Sequence, residues 1–402
     1  MKVALLSRSA HPLHPPGGLE RAVYDLARHL QAAGVETVLV TRPAVCEGEF
    51  PGKVVSVPYR SLPGLPHGRV LDRTLFYAGF ARRAGRVAAA LVREGRADLV
   101  HAQGLTALGY AEERVKDAAL RAPLVMNPQG MEEHKAEGLK AVALKRLRGL
   151  SQAAARLSDR VIATDESTRG EVRVLLGVPE SRIVVLPNGL DLPAIRAATP
   201  ADPRLVVQGA LPTLGEAEPL FLSVGRLEGY KGVLDTLAAL GRLHAARALP
   251  PAWAFVIVGD GPLAAEVDAA ARPMRPHVHR TGRVSDALLH ALYECADVFV
   301  HATRYEGSSL VTLEAMAHAR AVVATRAGGI PDKIVPGSTG WLVDPGDVPA
   351  LAQALGESAL DAGRRARYGK AGLALLGERF LWPVIARRTI ALYEELLRAR
   401  AA

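Results

Sequence analysis

A chain of 402 residues with a net charge of +9 is too long for one ordinary core; it suits two domains of roughly 150–200 residues each and an acidic partner such as phosphate, nucleic acid or an anionic membrane face. Two cysteines, Cys46 and Cys295, exclude a disulfide framework and lack metal-ligand spacing, so a reducing compartment is expected. No stretch approaches the roughly 18 uninterrupted apolar residues of a membrane span, and the opening MKVALLSRSAH holds too short an apolar run for a signal peptide, which predicts a cytoplasmic protein.

The chain opens as strand, glycine turn and helix: KVALLS, then HPLHPPGGLE, then RAVYDLARHLQAAG with helical periodicity ending at Gly34. ETVLVT, ADLVHA, PLVMN, DRVIAT and RIVVLPN follow as short apolar runs separated by helical or turn-rich segments, the pattern of parallel β–α–β units. Between Pro187 and Glu218 the pattern breaks into a stretch rich in Pro, Gly and Ala without a sustained period, which is the expected domain boundary. Beyond it the same grammar restarts with LFLSVGRLEGYKG, WAFVIVGDGPL, PHVHRTG, ADVFVHA, RAVVAT and GWLV. Two Rossmann-like α/β domains in tandem are predicted, each binding ligands beyond the carboxyl ends of its strands.

Lysine occurs nine times and asparagine only at 127 and 188, so a lone Lys or Asn inside a motif is conspicuous. SVGRLEGYKG places Arg226 and Lys231 in a glycine-loosened turn after a strand, which suits a diphosphate; a surface turn with solvated charges is the plainer reading. PPGGLER could cradle a phosphate at a helix start, but it lacks both the dinucleotide and the P-loop spacing. Asp260-Gly261 reads as a turn.

RYEGSSLVTLEAMAHARAVVATRAGGIPD, from Arg304 to Asp332, carries Glu306 just after a strand and Glu314 two turns into a helix, with Ser308 or Ser309 as N-cap. Eight helical residues separate the two carboxylates by about 10–12 Å, more than the roughly 5–9.5 Å of a glycosidase pair. Such spacing suits two ends of one extended ligand whose hydroxyls donate to each carboxylate, and a nucleoside diphosphate sugar has that shape. The backbone N–H groups of Gly307 to Leu310 would then face the phosphates. Taken singly, Glu306 reads as a cap and Glu314 as a solvated charge.

In this order and spacing, the GR…KG turn, E-x7-E, and GGIPD…GSTGWLVDPGD resemble the retaining glycosyltransferases of the GT-B fold, family 4 (group 1). The resemblance covers essentially the whole chain: it is tightest from Phe221 to Asp347, is carried earlier by PPGGLERAVYDLARHL, HAQG and VLPNGLD, and extends to the closing FLWPVIARRTIALYEEL. It implies two domains, 1–190 and 210–382, facing a central cleft, with a C-terminal helix, 383–402, crossing back to the first. It implies that Gly225, Arg226 and Lys231, with Gly307, Ser308, Ser309 and Leu310, hold the donor diphosphate, and that Glu314 holds the ribose hydroxyls. Glu306 would contact the donor sugar near the reacting carbon, Gly17 and Gly18 would bear on the donor from the first domain, and Glu306, Arg226 and Lys231 would carry the catalysis. The implied reaction moves a sugar from a nucleotide sugar to a glycan, lipid-linked or small-molecule acceptor with retention and with neither metal nor cofactor; no D-x-D occurs in the sequence.

Three positions depart from the family pattern: Gln129 stands where a histidine is common, EGSS replaces EGFG, and Asp332 replaces a commoner glutamate. His101 and Gln129 are the candidates on the acceptor side, His101 against a purely structural role. His134–Arg156 is basic and helical, suited to an anionic membrane at the inner face or simply to solvent. Few aromatics and no nucleic-acid module argue against nucleic acid. The competing readings are a nucleotide-sugar epimerase of the same fold, a non-catalytic nucleotide-sugar-binding protein, and a dehydrogenase, for which the full G-x-G-x-x-G is missing.

Overall fold

The computed structural model describes residues 1–15, 17–60, 70–136 and 138–401. They form two compact units, Met1–Gly189 with Trp382–Ala402, and Leu190–Leu381. Pro16 of the PPGG stretch and Glu137 of the basic stretch lie outside the described residues. Among the described residues no helix is long and apolar enough to cross a membrane.

The first unit is built on seven strands: β1 Lys2–Leu6, β2 Glu36–Thr41, β3 Lys53–Ser56, β4 Leu99–Gln103, β5 Leu124–Asn127, β6 Arg160–Ala163 and β7 Ile183–Val185. All pair in parallel in the order β3-β2-β1-β4-β5-β6-β7. Strand side chains alternate faces, so Val3, Leu5, Leu39 and Leu99 enter one core while Ala4, Leu6, Val38 and Val100 enter the other. The first core is covered by helix Gly18–Ala32 through Val23, Leu26 and Leu30, and by helix Trp382–Ala401 through Trp382, Ile385 and Leu396. Strand β3 escapes the hydrophobic pattern because it is a four-residue, mostly exposed edge strand with little apolar burial to leave a signal.

The second unit has six parallel strands: β8 Leu220–Val224, β9 Ala254–Val258, β10 Val278–Gly282, β11 Val298–His301, β12 Ala321–Thr325 and β13 Gly340–Val343. Their order is β10-β9-β8-β11-β12-β13. The expected boundary corrects in one respect. Much of the stretch after Leu190 is not a linker but two helices of the second unit, Leu192–Ala198 and Pro203–Ala210. Asp191 and Asp202 cap them by accepting from the N–H groups of Ala194 and Leu205, each with proline in the first turn, so Pro and Asp here start helices rather than break the fold.

Helix Trp382–Ala401 is anchored by Tyr393, fully buried, whose hydroxyl lies 2.5 Å from His101 Nδ1 on β4. Tyr393→Phe is expected to cost about 1–2 kcal/mol by leaving a buried imidazole nitrogen unpaired. Denaturant unfolding checks this as a lower midpoint at unchanged slope; an unchanged midpoint would show that the bond does not anchor the helix.

Candidate active site

Strand order reverses between β8 and β11, and the loops leaving these two strands flank the point where an open parallel sheet binds ligands. The loops are stitched together by backbone. The carbonyl of Tyr230 accepts from Arg304 N–H at 2.6 Å and from the Thr303 hydroxyl at 3.0 Å. Gly232 sits at φ +67° with a would-be Cβ 1.8 Å from the Ala302 carbonyl oxygen, and Gly328, at φ +51°, meets the Glu306 carbonyl oxygen at 1.9 Å. Any side chain at either position would push the loops apart.

Within this frame Glu306 is the centre. Its Oε2 accepts from Lys231 Nζ at 2.7 Å and from His301 Nε2 at 2.9 Å, which fixes the imidazole proton on Nε2. Its Oε1 accepts from the N–H of Gly307 at 3.2 Å. Burial pushes the carboxyl up, but the hydrogen bond and charge of His301 and the charge and hydrogen bond of Lys231 outweigh it and hold the group down to about 2. The carboxylate is 15% exposed and permanently ionised at neutral pH. It is therefore an acceptor and a fixed negative charge, not a proton donor.

Helix Leu310–Ala317 follows, with Ser309 at the N-cap position. The cap differs from the expected one, because the Ser309 hydroxyl pairs with the Thr312 hydroxyl at 2.8 Å instead of a backbone N–H. Gly307 likewise has its N–H engaged by Glu306, while Ser308 Oγ is buried with no hydrogen-bond partner. Glu314 lies on this helix and accepts from the Tyr293 hydroxyl at 3.0 Å. Burial first, then Glu314, push that phenol well above its ordinary range. Arg226 stands apart from Lys231: it is 70% exposed and pairs with Glu228 at 2.7 Å. The N–H of Gly225 donates to the Val258 carbonyl at 3.0 Å, joining the β8 loop to the β9 loop, where Asp260 makes the expected turn by accepting from the N–H of Gly261.

In the first unit, a small cavity beyond β4 and β5 is lined by His101, Gln103, Asn127 and Gln129. Gln129 donates to Gln103 Oε1 at 2.8 Å, and Gln103 Nε2 lies 3.3 Å from His101 Nε2. His101 is 1% exposed and burial draws its pKa down to about 4, so it is neutral and lies beneath the amides instead of at the cavity mouth. Gln129 holds φ +58°, a left-handed conformation unusual for glutamine, with its N–H on Asn127 Oδ1 at 3.2 Å. Gly17 caps helix Gly18–Ala32 without a side chain. Among the described residues no group of three or more His, Cys, Asp or Glu could hold a metal ion.

Two family models match, Glycosyltransferase Family 4 over residues 16–193 and Glycosyl transferases group 1 over 218–361. A glycogen synthase of Mycobacterium tuberculosis is 30% identical over 94% of this chain and 92% of its own length. The chain belongs to glycosyltransferase family 4. A D-inositol 3-phosphate glycosyltransferase of Xylanimonas cellulosilytica is 29% identical to it over 100% of this chain and 98% of its own. The HepE protein of Anabaena, solved in complex with UDP, shares the GT-B fold of this glycosyltransferase at a TM-score of 0.72 and 20% identity, covering 98% of this chain and 100% of that one.

In this family 4 enzyme the residues that sequence reasoning missed are His301 and Tyr293. His301 closes the ADVFVHA run only five positions before Glu306, a signal that was available; Tyr293 reaches Glu314 from another helix, with no local signal. Since the folded pKa of Glu306 lies below its ordinary value of 4.5, its ionised form stabilises the fold fully above about pH 4.5, and that contribution, on the order of 3 kcal/mol, is lost as pH falls toward 2. His301→Ala is expected to raise the Glu306 pKa and flatten the dependence of unfolding free energy on pH between 5 and 3. Denaturant titrations across that range check it.

Proposed function

We propose that this enzyme is a retaining, metal-independent glycosyltransferase that moves a sugar from a nucleoside diphosphate sugar to a hydroxyl acceptor. The observation that carries this reading is the ionised Glu306 bound by Lys231 and His301 at the strand-order reversal of the second unit. Lys231 provides a cation whose present partner is a carboxylate, and a donor diphosphate arriving there would share it. Arg226, on an exposed turn, is free to swing from Glu228 to the same phosphates. The orphan Ser308 hydroxyl at the start of helix Leu310–Ala317 supplies a donor for a phosphate or sugar oxygen. Glu314, oriented by Tyr293, accepts from ribose hydroxyls, and Glu306 accepts from sugar hydroxyls near the reacting carbon.

In this mechanism the bond from the anomeric carbon to the phosphate oxygen breaks and its electron pair leaves on the diphosphate. The acceptor oxygen attacks from the same face, and its proton passes to the departing phosphate oxygen. Lys231 and Arg226 neutralise the charge that builds on that oxygen. Glu306, held ionised, favours positive charge at the sugar carbon. Gln129, Gln103 and Asn127 in the first unit offer amides to acceptor hydroxyls. UDP, bound in HepE of Anabaena, is the first nucleotide to try.

Glu306→Ala is expected to lower turnover by about a hundredfold or more while changing nucleoside diphosphate affinity by less than about threefold. Lys231→Ala is expected to weaken that affinity by roughly tenfold to a hundredfold. Calorimetric titration of UDP, GDP and ADP, together with product analysis, separates the two. Equal loss of both in Glu306→Ala would remove it from the sugar site, and sugar isomers released without acceptor would indicate an epimerase.

A further inference from the structure

The first unit holds two arginines that each keep a buried guanidinium N–H without a hydrogen-bond partner. Arg8 follows β1 and Arg42 follows β2, at the carboxyl edge of the sheet beside the reversal of strand order between β1 and β4. The Thr41 hydroxyl donates to the Arg8 carbonyl at 3.2 Å, which ties the two strand ends together. Arg42 is 8% exposed and its Nε is buried with no hydrogen-bond partner; Arg8 Nη1 is buried in the same condition. Burial first, and the neighbouring Arg8 charge second, draw Arg42 below the ordinary guanidinium range. Two like charges thus face each other in a site that water reaches poorly.

The surroundings relieve them only in part: Arg8 hydrogen-bonds the Tyr59 hydroxyl, yet its Nη1 and the Nε of Arg42 stay without a partner. Tyr59, Asp72 and Glu20 attract Arg42 only through space, while the Asp72 Oδ2 accepts from the Tyr59 hydroxyl at 2.8 Å and Glu20 Oε1 accepts from Ser9 at 2.6 Å. Burial, with the Asp72 hydrogen bond next, pushes the Tyr59 phenol up to about 12, so it carries no charge. Arg73, the third cation nearby, pairs with Glu133 at 3.2 Å. The guanidinium of Arg8 lies 5.1 Å over the ring of Tyr77, which ends a π-helical turn, Arg73–Tyr77, leading into helix Ala78–Arg93. Turns of this kind cost stability and recur at functional sites. Helix Gly18–Ala32, with Glu20 in its first turn, begins beside the same edge.

A buried guanidinium N–H without an acceptor is costly, and two adjacent ones more so. We propose that Arg8 and Arg42 form an oxyanion site for a phosphoryl group carried by the acceptor. The word acceptor rests on the glycosyl-transfer reading above; the oxyanion site does not. A phosphoryl group presents several oxygens to planar guanidinium donors and can accept from the orphan N–H groups. The uncharged rings of Tyr59 and Tyr77 lie beside Arg8. The same chemistry is offered by a soluble phosphomonoester and by a phospholipid headgroup.

The test is run on the full chain carrying Lys231→Ala, so that the second unit's own phosphate contacts are weakened, and without donor. Calorimetry with inorganic phosphate and with a hexose phosphate is expected to show binding that Arg42→Gln and Arg8→Gln each weaken about tenfold or more. Without ligand, Arg42→Gln is expected to unfold at the same temperature as its parent or higher, because it removes a buried unpaired charge. A structural arginine would give the reverse. Co-sedimentation with vesicles of phosphatidylcholine and phosphatidylglycerol, lost in Arg42→Gln, names the headgroup as the source; tighter binding of hexose phosphate without co-sedimentation names the soluble ester. Phosphate binding that is absent, or indifferent to both substitutions, or a lower unfolding temperature of Arg42→Gln, overturns the proposal. Failure of sugar transfer alone leaves these readouts unchanged and counts only against the transfer reading.

Discussion

Parallel strands deliver every following loop to one edge of a sheet, and where strand order reverses, two such loops diverge and leave room between them. This constraint organises both units. In the second, the loops after β8 and β11 bring Lys231 and Glu306 to 2.7 Å although 75 positions separate them in the chain. In the first, the ends of β1 and β2 bring Arg8 and Arg42 together on the same kind of edge. The positions are related but not identical: the second pair spans the reversal between β8 and β11, while the first lies on the neighbouring strands β1 and β2 beside the reversal.

The two sites handle buried charge in opposite ways. Glu306 is fully compensated, by Lys231 and His301 on one oxygen and Gly307 on the other, so its ionised form is a settled feature of the fold. Arg8 and Arg42 retain orphan N–H groups, a state that costs stability until an anion arrives. A fully hydrogen-bonded charge positions; one with an orphan N–H recruits. Close backbone contact at Gly232 and Gly328 keeps the first arrangement rigid, since the loops that carry Glu306 cannot separate without breaking several hydrogen bonds at once.

Neutral groups do comparable work in the first unit. Tyr393 holds His101, His101 lies against Gln103, and Gln103 takes Gln129, so a buried imidazole that cannot titrate near neutral pH orients two amides. The left-handed backbone at Gln129 is the strained element of this chain of contacts, and its conformation is held by Asn127, one of only two asparagines.

Much of this was legible in the sequence. Apolar runs located most of the strands, because buried parallel strands are rich in Val, Ile, Leu and Ala, while short exposed edge strands such as β3 need not be. Local chemistry also marked Lys231 in its glycine-loosened turn and Glu306 just after a strand, and spacing marked Glu314 eight positions on. The same local reading mistook Asp191 and Asp202 for linker, because Pro, Asp and Ala serve breaks and capped helices alike. What only tertiary structure decided is partnership: that Lys231 turns to Glu306 and Arg226 to Glu228, that Tyr293 reaches Glu314, and that Arg8 and Arg42 share an edge. Patterns of burial repeat along a chain at two or three and a half residues and can be read from it, whereas the contacts between loops depend on the order in which strands enter the sheet, which no local pattern encodes.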